Sequence, residues 1–271
     1  MRLRLITLSI TPLLSVLAAM AVLRPRTHTA FPGAGSMRTP VVVELFTSEG
    51  CSSCPPADSL LSRMAEQQPI DNVEVIALEE HVDYWNELGW VDPFSSREWT
   101  ARQQIYAEVL GNGNSYTPQM VVDGKTEFVG SQSRKAWQAV QQAAAQQKAA
   151  VALRPASSPD AATGSLAVTI AKLPETGHRD TAEVWLAITE TGLHSDVKRG
   201  ENAGEDLHHA AVVRSIRKIG EAKPGGETSF SGDATVSLRP DWKRENLHAV
   251  VFVQEKKGRR ILGAAAASVG R

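Results

Sequence analysis

Apolar residues fall along this chain in three regimes. From Leu5 to Leu23 they are nearly continuous, from Val41 to about residue 150 strand-length runs alternate with helical spacing, and beyond that they return as short segments of period two.

The first regime follows Arg2 and Arg4 and contains the small-x-small site Ala19-Met20-Ala21, so residues 1–21 are expected to be an export signal peptide. The length of the run, with Arg24 and Arg26 after it, leaves an uncleaved N-terminal anchor as the alternative. Either places the rest outside the cytoplasm, periplasmic or secreted, where a disulfide persists. Residues 22–40, rich in Pro, Gly, Ser and Thr, are expected to be a linker.

In the second regime, Val41 to Phe46 is almost wholly apolar, the pattern of a strand buried on both faces. Glu44 is the exception, and a carboxylate there needs a partner. Leu60, Leu61 and Met64 recur at helical spacing after Pro55-Pro56 and predict a helix to about Gln68. Val73 to Leu78 is a second strand, parallel to the first because a helix connects them. Glu79 to Trp85 is expected to leave the sheet at the strands' C-terminal edge, where α/β sheets keep their sites. The capping box Ser95-Ser96-Arg97-Glu98 starts a helix that runs to Gly111. Pro118 precedes an apolar strand that ends at Asp123-Gly124, a hairpin turn leading into Thr126 to Val129. A helix follows from Ser131 to about Ala150, giving the order β-α-β-α-β-β-α over residues 41–150.

Arg154 to Pro159 breaks the pattern. The alternating segments after it, Leu166 to Leu173, Ala182 to Thr191, Thr228 to Leu238, Leu247 to Gln254 and Arg260 to Ala267, predict a small, mostly antiparallel β domain over residues 151–271. Glu201 to His209 is a polar, motif-like loop. Adjacent residues on a strand point to opposite faces, so His208 and His209 make a weak chelating pair and are expected to hydrogen-bond solvent or the other domain.

Cys51 and Cys54 are the chain's two cysteines and directly follow the first strand. If Cys51 caps the helix, Cys54 falls within disulfide reach. The helix N-terminus then favours a thiolate at Cys51, and Cys54 resolves the mixed disulfide. A structural disulfide is the alternative. Zinc usually needs four ligands, whereas a soft ion such as copper(I) would be held by Cys51, Cys54 and His81. Glu44, seven residues before Cys51, is expected either to pass protons to and from Cys54 or to be a satisfied structural carboxylate. His81, Asp83 and Trp85 border the dithiol as substrate contacts, or pack their loop down. A net charge of −1 argues against nucleic-acid binding. No phosphate-cradling loop or Ser-His-Asp arrangement occurs, no cofactor is expected, and membrane contact is expected only through an uncleaved anchor.

A CxxC after the first strand and Thr117-Pro118 before the third resemble the thioredoxin-like fold superfamily. The resemblance implies a cis Pro118 facing the disulfide and shaping a substrate groove, a Thr117 backbone that pairs with substrate, and a buried acid near Glu44. The expected fold class is therefore an α/β thioredoxin-like domain over 41–150 followed by the β-rich domain over 151–271. The phrases at 44–58, 81–85, 116–124, 201–209 and 212–214 are similar to those of the bacterial secreted family named domain of unknown function 1223. The activity implied is exported thiol-disulfide exchange with protein thiols or disulfides. The rival readings are a redox-inert binding module and a copper-handling protein.

Overall fold

The structure is a computed structural model that describes residues 38–111, 113–156, 163–177 and 180–269. The expected export segment lies outside them. The elements anticipated up to residue 150 form in the anticipated order. They are β1 (Thr39–Thr47), α1 (Pro55–Gln67), β2 (Val73–His81), α2 (Arg97–Leu110), β3 (Gln119–Val122), β4 (Thr126–Val129) and α3 (Ser133–Ala144). Local chemistry sets their ends. Pro55 and Pro56 occupy the first turn of α1, where missing N–H groups cost little. Ser96 caps α2 by accepting from the Glu98 N–H, and Gly111 at φ 97° ends it. Asp123 and Gly124, both at positive φ, turn β3 into β4.

The second half adds β5 (Ala150–Ala156), β6 (Thr163–Ala171), β7 (Ala182–Glu190), β8 (Leu193–Asp196), β9 (Asp206–His209), β10 (Val212–Ala222), β11 (Thr228–Ser237), β12 (Leu247–Glu255) and β13 (Ile261–Ser268). The expected fold class is corrected here. There is no thioredoxin-like domain followed by a small β domain. The described residues are mostly β, and one eight-stranded mixed sheet, ordered β13-β12-β7-β10-β2-β1-β3-β4, takes strands from both halves. β10 makes the join, parallel to β2 at Val212 and Glu79 and antiparallel to β7 along its length. The physical reason is that β2 has a second edge that needs pairing, and periodicity does not tell which strand fills it. A three-stranded sheet, β11-β6-β5, and the hairpin β8-β9 complete the β-structure.

The core crosses the same join. Val41, Val43 and Leu45 face α1 and α3, packing on Leu60, Leu61, Met64 and Val140. Val42 turns the other way, into a cluster with Ile76, Leu78 and Trp99 from the first half and Ala187, Val213, Val250 and Phe252 from the second. Each large apolar side chain fully buried there contributes roughly 1.5–3 kcal/mol. No helix among the described residues is long and apolar enough to cross a membrane.

Glu79-Glu80-His81 also departs from expectation. These residues do not leave the sheet but complete β2, and all three are fully buried. Buried charge of this density persists only when partnered, and the partners come from the β2–α2 loop, from α2 and from β9.

Candidate functional site

β1 ends at Thr47, and the chain turns through Ser48 to Gly50 into the cysteine loop. A Cβ on Gly50 would stand 3.1 Å from that of Trp85, so glycine lets the Trp85 loop close on the turn. Cys54, rather than Cys51, is the N-cap of α1, and Cys51 sits in the turn before it. The Cys54 N–H donates to the Cys51 carbonyl at 3.1 Å. The sulfurs are bonded, with Cα atoms 5.5 Å apart. Both cysteines are fully buried, whereas Ser52 and Ser53 between them are exposed.

Three of the expected neighbours gather here. The Thr117-Pro118 bond is cis. Trp85 donates its indole N–H to Thr117 Oγ1 at 2.8 Å. The Gly130 N–H donates to the Pro118 carbonyl at 2.9 Å. A Cβ on Gly130 would lie 3.1 Å from Ala57 on α1 and 3.4 Å from Pro118, so Pro118 sits close to the first turn of the cysteine helix.

The other expected residues go elsewhere. Asp83 accepts the Thr100 hydroxyl at 2.6 Å and pins the start of α2. Glu44 shares the sheet face of Val42 and Phe46, opposite the side chains that pack on α1. Its carboxylate is bound by Arg102 Nε at 2.6 Å and by the Tyr106 hydroxyl. Arg102 also faces Glu80 at 3.4 Å. Burial pushes the Glu80 carboxyl well above the usual range, with Glu44 adding to the rise against Arg102. Glu44 is therefore a partnered structural carboxylate and does not lie beneath the thiols.

Asp58 stands closer to that position. It lies in the first turn of α1, donates its N–H to the Cys54 carbonyl at 3.1 Å, and accepts the Thr47 hydroxyl at 2.6 Å. Burial, reinforced by the Glu79 charge, pushes its pKa up to about 7. The readable signal was its spacing, because a residue four after Cys54 falls on the same helix face.

Behind the turn lies a buried cluster whose extent sequence reading missed. His209, on β9, faces Glu79 Oε1 through Nδ1 at 2.8 Å and Glu49 Oε1 through Nε2 at 3.1 Å. His81 faces Asp92 Oδ2 through Nδ1 at 2.7 Å. Asp92 Oδ2 also accepts the Glu49 N–H at 2.8 Å, and Glu49 Oε2 accepts the Trp90 indole N–H at 2.7 Å. Burial alone would lower both histidine pKa values. The Asp92 and Glu79 carboxylates instead raise that of His81 well above the ordinary value, and Glu79 carries that of His209 up to about 9. Burial pushes Glu79 up, but the two histidines hold it well below the carboxylate range. His208 points away into solvent with Asp206, as strand alternation requires.

The second half also covers the cysteine loop. Asn202 donates to the carbonyls of Glu49 at 2.8 Å and Cys51 at 3.0 Å, and Glu201 accepts the Ser52 N–H at 3.1 Å. Among the described residues, the side chains close enough together to share a cation are Glu79, His81 and His209. Neither cysteine belongs to that group, and the two are bonded to each other.

Fold and site together define a mostly β protein with a mixed sheet, in which a CxxC disulfide at a helix N-terminus is roofed by the chain's own second half. The chain belongs to the family described as protein of unknown function DUF1223, whose model matches residues 42–254. It is similar to the crystal structure of a protein from Agrobacterium tumefaciens at 27% identity, covering 86% of this chain and 96% of that one with a TM-score of 0.62. A domain of the outer membrane lipoprotein Omp28 from Porphyromonas gingivalis matches 45% of this chain and 88% of its own at 16% identity. Its TM-score is 0.29. No curated protein matches the chain.

Proposed function

We propose that the chain is an exported thiol-disulfide exchange protein acting on protein thiols or disulfides. The observation that carries this reading is a bonded cysteine pair at a helix N-terminus, with the buried acid Asp58 in the helix's first turn, whose pKa of about 7 suits proton exchange at neutral pH. In the oxidised form, a substrate thiolate attacks Cys51 Sγ, the Cys51–Cys54 bond breaks, and Cys54 leaves as a thiolate that takes a proton from Asp58. A second substrate thiolate then attacks the substrate sulfur of the mixed disulfide and releases Cys51. The substrate dithiol is oxidised and the pair is reduced; the reverse sequence reduces a substrate disulfide. Trp85 and Thr117, half-buried beside the turn, with the exposed Leu88 and Val91 on the Trp85 loop, offer the surface for an extended substrate segment. Export rests on Arg2, Arg4 and the apolar run after them.

The complete burial of both cysteines favours a second reading, in which the bond staples the turn and the protein is a binding module. Equilibration in a series of glutathione ratios separates the two. A reversible potential between about −120 and −270 mV, with mixed disulfides trapped by Cys54→Ser and not by Cys51→Ser, supports exchange. A bond that stays closed below about −300 mV supports the staple.

A further inference from the structure

We propose that Glu79, His81 and His209 form a binding site for a divalent first-row transition cation of the zinc type, independently of whether the disulfide exchanges. The three donors are Glu79 Oε1, His81 Nε2 and His209 Nδ1. Glu79 Oε1 lies 3.5 Å from His81 Nε2 and 2.8 Å from His209 Nδ1. Ligands held at 2.0–2.1 Å in a tetrahedral site are roughly 3.3–3.4 Å apart, so small adjustments admit a cation between them.

Two further observations point the same way. His81 Nε2 is completely buried and has no hydrogen-bond partner, although it faces the Glu79 carboxylate. At 3.5 Å the Glu79 oxygen is too far for a good hydrogen bond to that nitrogen, and a cation between the two would satisfy both. Moreover, the far nitrogen of each imidazole is already held by a carboxylate, His81 Nδ1 by Asp92 and His209 Nε2 by Glu49. Those carboxylates are anchored in turn. Asp92 accepts from the Glu49 and Phe94 N–H groups, Glu49 from Trp90, and the second Glu79 oxygen from the Ala210 N–H at 2.8 Å. An imidazole fixed by an outer carboxylate, with its other nitrogen aimed at a shared acid, is the arrangement that orients histidine ligands on metals.

The donor set of two imidazoles and one carboxylate suits zinc or iron(II) and leaves a coordination position for water. Of the three ligands, His209 borders a cavity of about 550 Å³ between α1, β2 and the β7–β8 turn, together with Ala210 and Ala211. A cation here would join β2 to β9 and, through Asp92 and Glu49, brace the turn that carries Cys51.

The test is calorimetric titration of chelator-stripped protein with Zn²⁺, with X-ray absorption at the zinc edge on the loaded protein. The expected result is one equivalent bound, with a nitrogen and oxygen shell at about 2.0–2.1 Å and an imidazole signature. Glu79→Gln and His209→Gln should each weaken binding roughly 100-fold or more, and Asp92→Asn about 10- to 100-fold. The Cys51→Ser/Cys54→Ser pair and the exposed His194→Ala/His208→Ala pair should leave the affinity unchanged. Absence of binding, a sulfur shell near about 2.3 Å, an affinity indifferent to Glu79→Gln, or loss in the surface pair would overturn the site. If circular dichroism shows Glu79→Gln unfolded, the wild-type absorption spectrum decides: two imidazoles support the site and any other shell rejects it.

Discussion

Asn202 donates to the backbone carbonyl of Cys51 at 3.0 Å, and with its second amide hydrogen to that of Glu49 at 2.8 Å. A side chain from the second half of the chain thus closes the turn that carries the disulfide. Asn202→Ala removes both donors from buried carbonyls, a loss of about 1–3 kcal/mol. Urea unfolding of the oxidised protein should show it, and dithiothreitol should reduce the disulfide faster. A variant with wild-type stability and reduction rate would mean that Asn202 does not secure the turn.

Asp58 should make stability depend on pH in a defined direction. Its folded pKa, about 7, lies above the ordinary 3.8, so the folded chain holds this proton more tightly than the unfolded chain. The stabilisation is full below about pH 4 and is lost as pH rises through 7, at most about 4 kcal/mol in all. In Asp58→Asn that titration disappears. Measured in EDTA, the stability of the variant relative to wild type should therefore climb between pH 4 and pH 7, and a flat difference would show that Asp58 is not a raised carboxyl.

Arg102 sits between Glu44 and Glu80 on the sheet face away from α1. Arg102→Met leaves Glu44 buried without its cation and should destabilise by about 3–5 kcal/mol in chemical unfolding. The Cys51–Cys54 potential should not move. A change beyond about 30 mV, a tenfold shift in the equilibrium, would tie the Glu44 network to the thiols after all.

Gly124 lies at φ +64°, and a Cβ there would run into the Arg259 carbonyl. The β3–β4 turn docks at this point on the end of the β12–β13 hairpin, where the Ile261 N–H donates to the Asp123 carbonyl at 2.8 Å. Gly124→Ala should cost at least about 2 kcal/mol through strain and separation of the two turns. Hydrogen exchange at the Ile261 amide reports the separation directly, and unchanged protection would count against the docking.

Local signals in the sequence were strong where one segment decides its own structure. Gly111, the Asp123-Gly124 turn and the proline start of α1 each specify an element end and are found in place, whereas the cap of α2 falls on Ser96, one residue after the first serine of the expected Ser95–Glu98 box. β10 was not legible for a local reason as well: bulges between Val213 and Ser215 and between Lys218 and Gly220 interrupt the alternation that marks a strand. Glu79 and His81 looked like loop residues because the groups that make their burial tolerable, His209 and Asp92, lie elsewhere in the sequence. The CxxC was plain to read. The cover over it was not, since nothing in Glu201-Asn202 announces that these residues reach back to Ser52 and Cys51.

β10 lies between β2 and β7 in the large sheet, so neither half of the chain can finish that sheet alone. Until residues 212–222 arrive, β2 has an open edge and Glu79 lacks the backbone that will lie beside it. Such non-local pairing makes folding slow, because a long loop must close before the contacts that reward it can form. Synthesis runs from the N-terminus, so Cys51 and Cys54 are within reach of any oxidant before Glu201 and Asn202 exist to roof them.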